Sequence, residues 1–137
     1  MAQRNYLKVA DLAVLSGDYS KALGHYEKAA VRATGNTTMR FSLNKYLLNS
    51  GLCLLAIGDM VAVNRGIEKY KGMDPNFEFS DEGKLLANLA QAVEEGDDKK
   101  AEDAMWIYCE KRPRDAVMEK ILLFIKTALQ EKDEDFS

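Results

Sequence analysis

Ser16-Gly17-Asp18-Tyr19-Ser20-Lys21-Ala22 decides the fold, because the same pattern returns twice. It reappears as Ile57-Gly58-Asp59-Met60-Val61-Ala62 and as Glu95-Gly96-Asp97-Asp98-Lys99-Lys100-Ala101. Each Gly-Asp pair follows one amphipathic stretch and opens another. Glycine fits the position just past a helix end, where the backbone turns left-handed. Aspartate fits the next helix start, where its carboxylate accepts amide hydrogens that have no helical partner. Gly-Asp is therefore the tight turn of a helix-turn-helix unit. Gly58 lies 41 residues after Gly17, and Gly96 lies 38 after Gly58. A period of about 40 marks an α-solenoid of stacked hairpins.

Outward from these turns, apolar residues recur at helical spacing. The first helix groups Tyr6, Val9, Ala10, Ala13 and Val14. The second groups Tyr19, Ala22, Leu23, Tyr26, Ala29 and Ala30. The third runs from Met39 to Ile57, with Tyr46, Leu47, Ser50, Gly51, Leu54 and Ile57 on one side. Its small Ser50 and Gly51 admit a close neighbour. Val61, Ile67 and Tyr70 mark the fourth, and Leu85, Leu86, Leu89, Ala90 and Val93 the fifth. Ala101, Ala104, Met105 and Tyr108 mark the sixth. Val117, Met118, Ile121, Leu122, Ile125 and Leu129 mark the last. Stripes of this kind are expected to face a core.

Two longer connections separate the hairpins, a polar Thr34-Gly35-Asn36-Thr37-Thr38 and the longer Gly72 to Ser80. Asp74-Pro75 stops a helix, since the residue before proline avoids the α region. Ser80 or Asp81 is expected to cap the next helix, with Phe77 and Phe79 plugging the groove between hairpins. No strand pattern is present. The expected fold is all-α: an α-solenoid of antiparallel helical hairpins, tetratricopeptide-like, with about seven helices. It forms a single domain over 1–130, ends in a C-terminal helical bundle and carries a flexible acidic tail over 131–137.

Composition narrows the function. No apolar run reaches bilayer length and Met1-Ala2-Gln3-Arg4 lacks a signal-peptide core, so the expected compartment is the cytoplasm. Cys53 and Cys109 sit in apolar helical patterns and are expected to be buried and unpaired. His25 is the only histidine and no CxxC occurs, so no metal site or cofactor is expected. The net charge is −3, and Glu131 to Ser137 carries all of it with four acidic residues and one lysine. A neutral body lacks the basic footprint of a nucleic-acid binder. No catalytic residues are expected, and no small-molecule substrate. His25 has no nucleophile beside it in sequence, no phosphate loop appears, and the paired carboxylates Asp97-Asp98 lie at a turn.

The stretch Gly17-Asp18-Tyr19 through Lys21-Ala22-Leu23 to Tyr26-Glu27-Lys28-Ala29 is similar to a tetratricopeptide second helix. A more specific match lies in Tyr6-Leu7-Lys8-Val9-Ala10 and in Arg40-Phe41-Ser42-Leu43-Asn44-Lys45-Tyr46 followed by Gly51-Leu52-Cys53. It continues in Glu68-Lys69-Tyr70, Met73-Asp74-Pro75-Asn76-Phe77, Lys84-Leu85-Leu86, Glu94-Glu95 and Ile121-Leu122-Leu123-Phe124-Ile125-Lys126. These residues resemble the C-terminal half of the soluble NSF attachment protein family, fungal members most closely. The chain is then expected to be a C-terminal fragment or short form, with the family's membrane-contacting loop in the unmatched half.

The resemblance implies an adaptor that wraps the four-helix SNARE bundle and recruits the hexameric AAA ATPase NSF, reaching membranes only through those partners. It implies an NSF-facing set of Asp59, Gln91, Glu94 and Glu95, joined by the tail residues Asp133, Glu134, Asp135 and Phe136 that stimulate the ATPase. It implies a SNARE-facing set of Asn44, Lys45 and Asn49. The family tends to have lysine where Asn44 and Asn49 stand, arginine at Asp81 and Phe124, glutamate at Gln91, tryptophan at Val117 and leucine near Phe136. The SNARE-gripping charge is thinned more than the NSF-facing charge.

Glu94-Glu95-Gly96-Asp97-Asp98 places four carboxylates at one turn. Exposed ion pairs contribute ~0.2–1 kcal/mol each, so four give roughly 1–4 kcal/mol. Micromolar binding needs about 8 kcal/mol. One copy binds weakly, and several copies around a hexamer gain by effective concentration. The alternative reading is a tetratricopeptide-like peptide-binding scaffold with a concave groove and basic clamps.

Overall fold

Gly17, Gly58 and Gly96 take positive φ angles of 83°, 92° and 69°, the left-handed geometry that the repeated turn requires. This holds in a computed structural model that describes the backbone of residues 2–136, with the side chains of 2–4, 37 and 132–136 outside the description. The helices are α1 (Ala2–Leu15), α2 (Tyr19–Ala33), α3 (Arg40–Ile57), α4 (Met60–Met73), α5 (Asp81–Glu95), α6 (Asp98–Lys111) and α7 (Ala116–Phe136). Two 3-10 turns, Thr37–Met39 and Phe77–Phe79, sit in the longer connections. No strand occurs among the described residues.

Each repeated aspartate caps the helix it opens. Asp18 accepts from the Lys21 amide, Asp59 from the Val61 and Ala62 amides, and Asp97 from the Lys100 amide. Ser80, of the two residues expected at α5, is the cap that accepts the Gly83 amide. A β-carbon at Gly58 would meet nothing within 4 Å, so the cost of Gly58→Ala is purely that of its left-handed backbone. We expect a loss of roughly 1–2 kcal/mol, read as a lower urea midpoint with an unchanged slope. An unchanged midpoint would show that the turn tolerates a side chain.

Pairs α1–α2, α3–α4 and α5–α6 form hairpins, and α3 packs on α2, α4, α5 and α7 at the centre. Ser50 and Gly51 are buried there, as expected. A β-carbon at Gly51 would lie 2.3 Å from Leu86 Cδ2, so α5 approaches α3 as closely as glycine allows. The second helix of each hairpin carries a buried tyrosine that donates to a carboxylate across the packing. Tyr26 on α2 bonds Asp11 on α1, Tyr70 on α4 bonds Glu27 on α2, and Tyr108 on α6 bonds Glu82 on α5.

Helix α7 packs on α6, α3 and α1. It runs parallel to α3. Lys45 pairs with Asp115 at 3.2 Å near the start of both, and Leu55 and Ala56 line one cavity with Ile125 and Leu129 farther along. Asp115 also caps α7 by accepting the Met118 amide at 2.7 Å. Phe124 meets the Tyr19 ring at 5.2 Å, which ties α7 to the first turn. Helical backbone continues through Phe136. No breaker follows Pro113, and Glu131 to Phe136 contains no glycine or proline.

Three expected core residues are on the surface. Ile57 is 43% exposed and Val61 65% exposed, because they flank the Gly58 turn at the end of the stack. The buried face of α4 is instead Val63, Gly66 and Tyr70. Phe77 fills the groove beside Tyr70 as expected, whereas Phe79 is 70% exposed, since a three-residue turn cannot direct both rings inward. Cys53 is buried and Cys109 half-buried, and both are free thiols. Burial, followed by the nearby Glu27 carboxylate, pushes the Cys53 thiol up to about 12, so it is no nucleophile at neutral pH.

Candidate protein-interaction site

An up-and-down helix order puts every odd-numbered helix in one direction. The Gly17, Gly58 and Gly96 turns therefore share one end of the molecule, and α7 runs toward that end too. The cavity there is lined by Gly58 and Met60 of the α3–α4 turn, Glu94 of α5, and Ala128 and Leu129 of α7. This geometry gathers residues that are far apart in sequence.

Asp59 is exposed at the α4 cap, with its Oδ1 held by the Val61 and Ala62 amides. Gln91, Glu94 and Glu95 are exposed on the last turns of α5. Gln91 donates to Glu95 at 3.4 Å, and Lys100 pairs with Glu95 at 3.1 Å. Glu94 has no ion pair among the described residues. The four carboxylates of the α5–α6 turn are thus not equivalent. Glu95 is partly neutralised and Asp97 is engaged as a cap, while among the described residues Asp98 Oδ1 is buried without a partner and Glu94 forms no ion pair. The side chains of Asp133, Glu134, Asp135 and Phe136 lie outside the described residues, although their backbone extends α7 on the same course.

Asn44, Lys45 and Asn49 lie on α3, away from that end. Asn49 is only 6% exposed, and its Oδ1, like that of Asn44, is buried without a partner among the described residues. Lys45 is held by Asp115. Asn44 and Lys45 are partly exposed and Asn49 is buried, because α3 is the central helix. No group of three or more potential metal ligands converges among the described residues.

A sequence profile described as "Soluble NSF attachment protein, SNAP" matches residues 1–130. The chain belongs to the SNAP family. A Neurospora crassa relative named "Probable vesicular-fusion protein sec17 homolog" is 38% identical over the whole chain and 47% of its own length. The Schizosaccharomyces pombe protein of the same description is 36% identical over the same shares. The human "Alpha-soluble NSF attachment protein" is 31% identical over 98% of this chain and 45% of its own length. This SNAP-family chain thus spans about half the length of the relatives it matches. Among its described residues no helix is long and apolar enough to cross a membrane.

Sequence reasoning missed Asp115, which both caps α7 and anchors it to Lys45. An aspartate two residues after Pro113 and just before an apolar stripe was the available signal. It also missed the tyrosine clasps. Tyr70 and Tyr108 each stand eleven residues after a cap aspartate, a register legible in the repeat.

Proposed function

We propose that this chain is the ATPase-facing part of a SNAP adaptor, which couples SNARE bundles to an NSF-type ATPase during vesicle fusion and protein transport. The observation that carries the reading is the convergence of Asp59, Gln91, Glu94, Glu95 and the course of α7 at one end of the stack. Such an end presents acidic groups, from different helices, to a basic partner. Its long-range attraction speeds encounter, and several copies around a ring add their weak contacts. Membrane association follows through the partners. SNARE contact through Asn44, Lys45 and Asn49 is the weaker element, since Asn49 is buried and Lys45 must leave Asp115 to serve it.

Binding of the chain to the N-terminal domain of an NSF-type ATPase tests this. Affinity is expected to fall steadily as salt rises from 50 to 300 mM, a concentration range over which surface charge becomes screened. Glu94→Lys with Glu95→Lys is expected to weaken binding by about tenfold or more, since like charges then meet across the contact. Unchanged affinity in that double variant would sink the reading. The peptide-scaffold alternative requires an open groove, and α7 already lies over α1 and α3.

A further inference from the structure

The acidic end has an apolar cleft set into it. Leu55, Met60, Val93, Phe124, Ile125 and Leu129 line a cavity of about 300 Å³, and Glu94 stands on its wall. Phe124 is 45% exposed at the cleft, and Ile57 and Val61 place two more exposed apolar side chains on the turn that carries Asp59. Ligand pockets span roughly 300–1,000 Å³, so this cleft is at the lower limit for a small molecule. Its described lining offers no cluster of polar groups to orient one. Its walls come from α3, α4, α5 and α7, so it exists only in the assembled fold.

We propose that the cleft is an anchor socket for one bulky apolar side chain, leucine, methionine or phenylalanine, in a partner segment flanked by lysine or arginine. Charge complementarity selects that occupant. The apolar residue fills the cleft while its basic neighbours meet Glu94 on the wall and Asp59 on the adjoining turn. Buried apolar anchors ringed by polar contacts carry much of the affinity at protein interfaces. The socket thus supplies binding that surface ion pairs alone do not. The adaptor reading names the partner as the ATPase, and the proposal rests on it for that identity alone.

The test uses ¹⁵N amide shifts of the whole chain, titrated with a short peptide bearing a central leucine between lysines and arginines. A second peptide replaces that leucine by serine. Ala128 is an exposed residue on the cleft, so Ala128→Phe fills the socket without touching the core. The leucine peptide is expected to shift the Glu94, Phe124 and Ala128 amides. The serine peptide should bind at least tenfold more weakly, and Ala128→Phe should lose the leucine peptide's advantage. Equal binding of the two peptides, or no binding of either, overturns the socket. Concentration-dependent shifts of the same amides without peptide would assign the cleft to a second copy of the chain and overturn it too. Loss of ATPase-domain binding by the Glu94 and Glu95 variant, with none by Ala128→Phe, refutes the socket and leaves the adaptor reading standing. Peptide binding at the socket with no ATPase-domain binding does the reverse.

Discussion

Gly83→Ala is expected to destabilise the fold by about 3 kcal/mol or more, at the upper end of overpacking costs, and to lower Tm by roughly 10 °C. Gly83 is buried in the first turn of α5. A β-carbon there would lie 1.9 Å from the Phe77 carbonyl oxygen and 2.7 Å from its carbonyl carbon. Both are backbone atoms, so no rotamer change relieves the clash. The surroundings resist as well. Phe77 is 1% exposed and packs edge-on against Tyr70, and Ser80 both donates to the Phe77 carbonyl and accepts the Gly83 amide. Moving the carbonyl disturbs the ring, the cap and the start of α5 together. Gly51→Ala and Gly66→Ala meet side-chain rather than backbone atoms, chiefly those of Leu86 and Leu54, which can shift, and are expected to cost less. Thermal unfolding of the three variants side by side checks the order. A Gly83→Ala midpoint within 2 °C of the parent, or above that of Gly51→Ala, would contradict it.

Above pH 10 the chain is expected to lose stability at roughly 4 kcal/mol per pH unit from three tyrosine protons alone, at about 1.4 kcal/mol each. Burial holds Tyr26, Tyr70 and Tyr108 well above the ordinary tyrosine value. The carboxylates they bond, Asp11, Glu27 and Glu82, push them further. The unfolded chain releases these phenolic protons near pH 10, while the folded chain keeps them. The unfolded state then binds fewer protons, so stability falls as pH rises. The tyrosine contribution is intact below pH 10 and is lost progressively as pH rises toward the folded values. The raised Cys53 thiol acts with the same sign and begins lower, near its ordinary value of 9.0. Against a total stability of about 5–15 kcal/mol, unfolding follows within a few units above pH 10. Urea midpoints from pH 8 to 11.5 give the slope. Tyr70→Phe should make it shallower by about one proton, and an unchanged slope in that variant would reject the assignment.

The hairpin architecture was legible because its signals are local. A left-handed glycine followed by a capping aspartate occupies adjacent positions, and helical stripes repeat within a few turns. The stripes of α7 and α5 needed almost no revision. Ile57 and Val61 needed it, because apolarity at a helix end says nothing of whether a neighbour reaches that far. Phe79 needed it for a similar reason, as the radius of a 3-10 turn decides which of two close rings points inward. The grouping of Asp59 with Glu94 rested on resemblance until the helix directions gave it a geometric basis. Asn49 could not be placed from sequence, since a polar residue on the central helix has the same spacing whether exposed or buried.

By itself, the sequence of this protein determined the helices, their turns, their order and the family. Those properties depend on short-range backbone geometry and on side-chain period. Tertiary structure alone decided that α7 returns along α3, that three tyrosines clasp carboxylates on other helices, and that an apolar cleft opens within the acidic end. Each of these joins residues on different helices, 15 or more positions apart, as Lys45 joins Asp115. Only the packed helices bring such groups within contact distance. The Gly-Asp turns that define the repeat therefore also bring Asp59 and Glu94 to one end of the molecule, where α7 lines a cleft with Glu94.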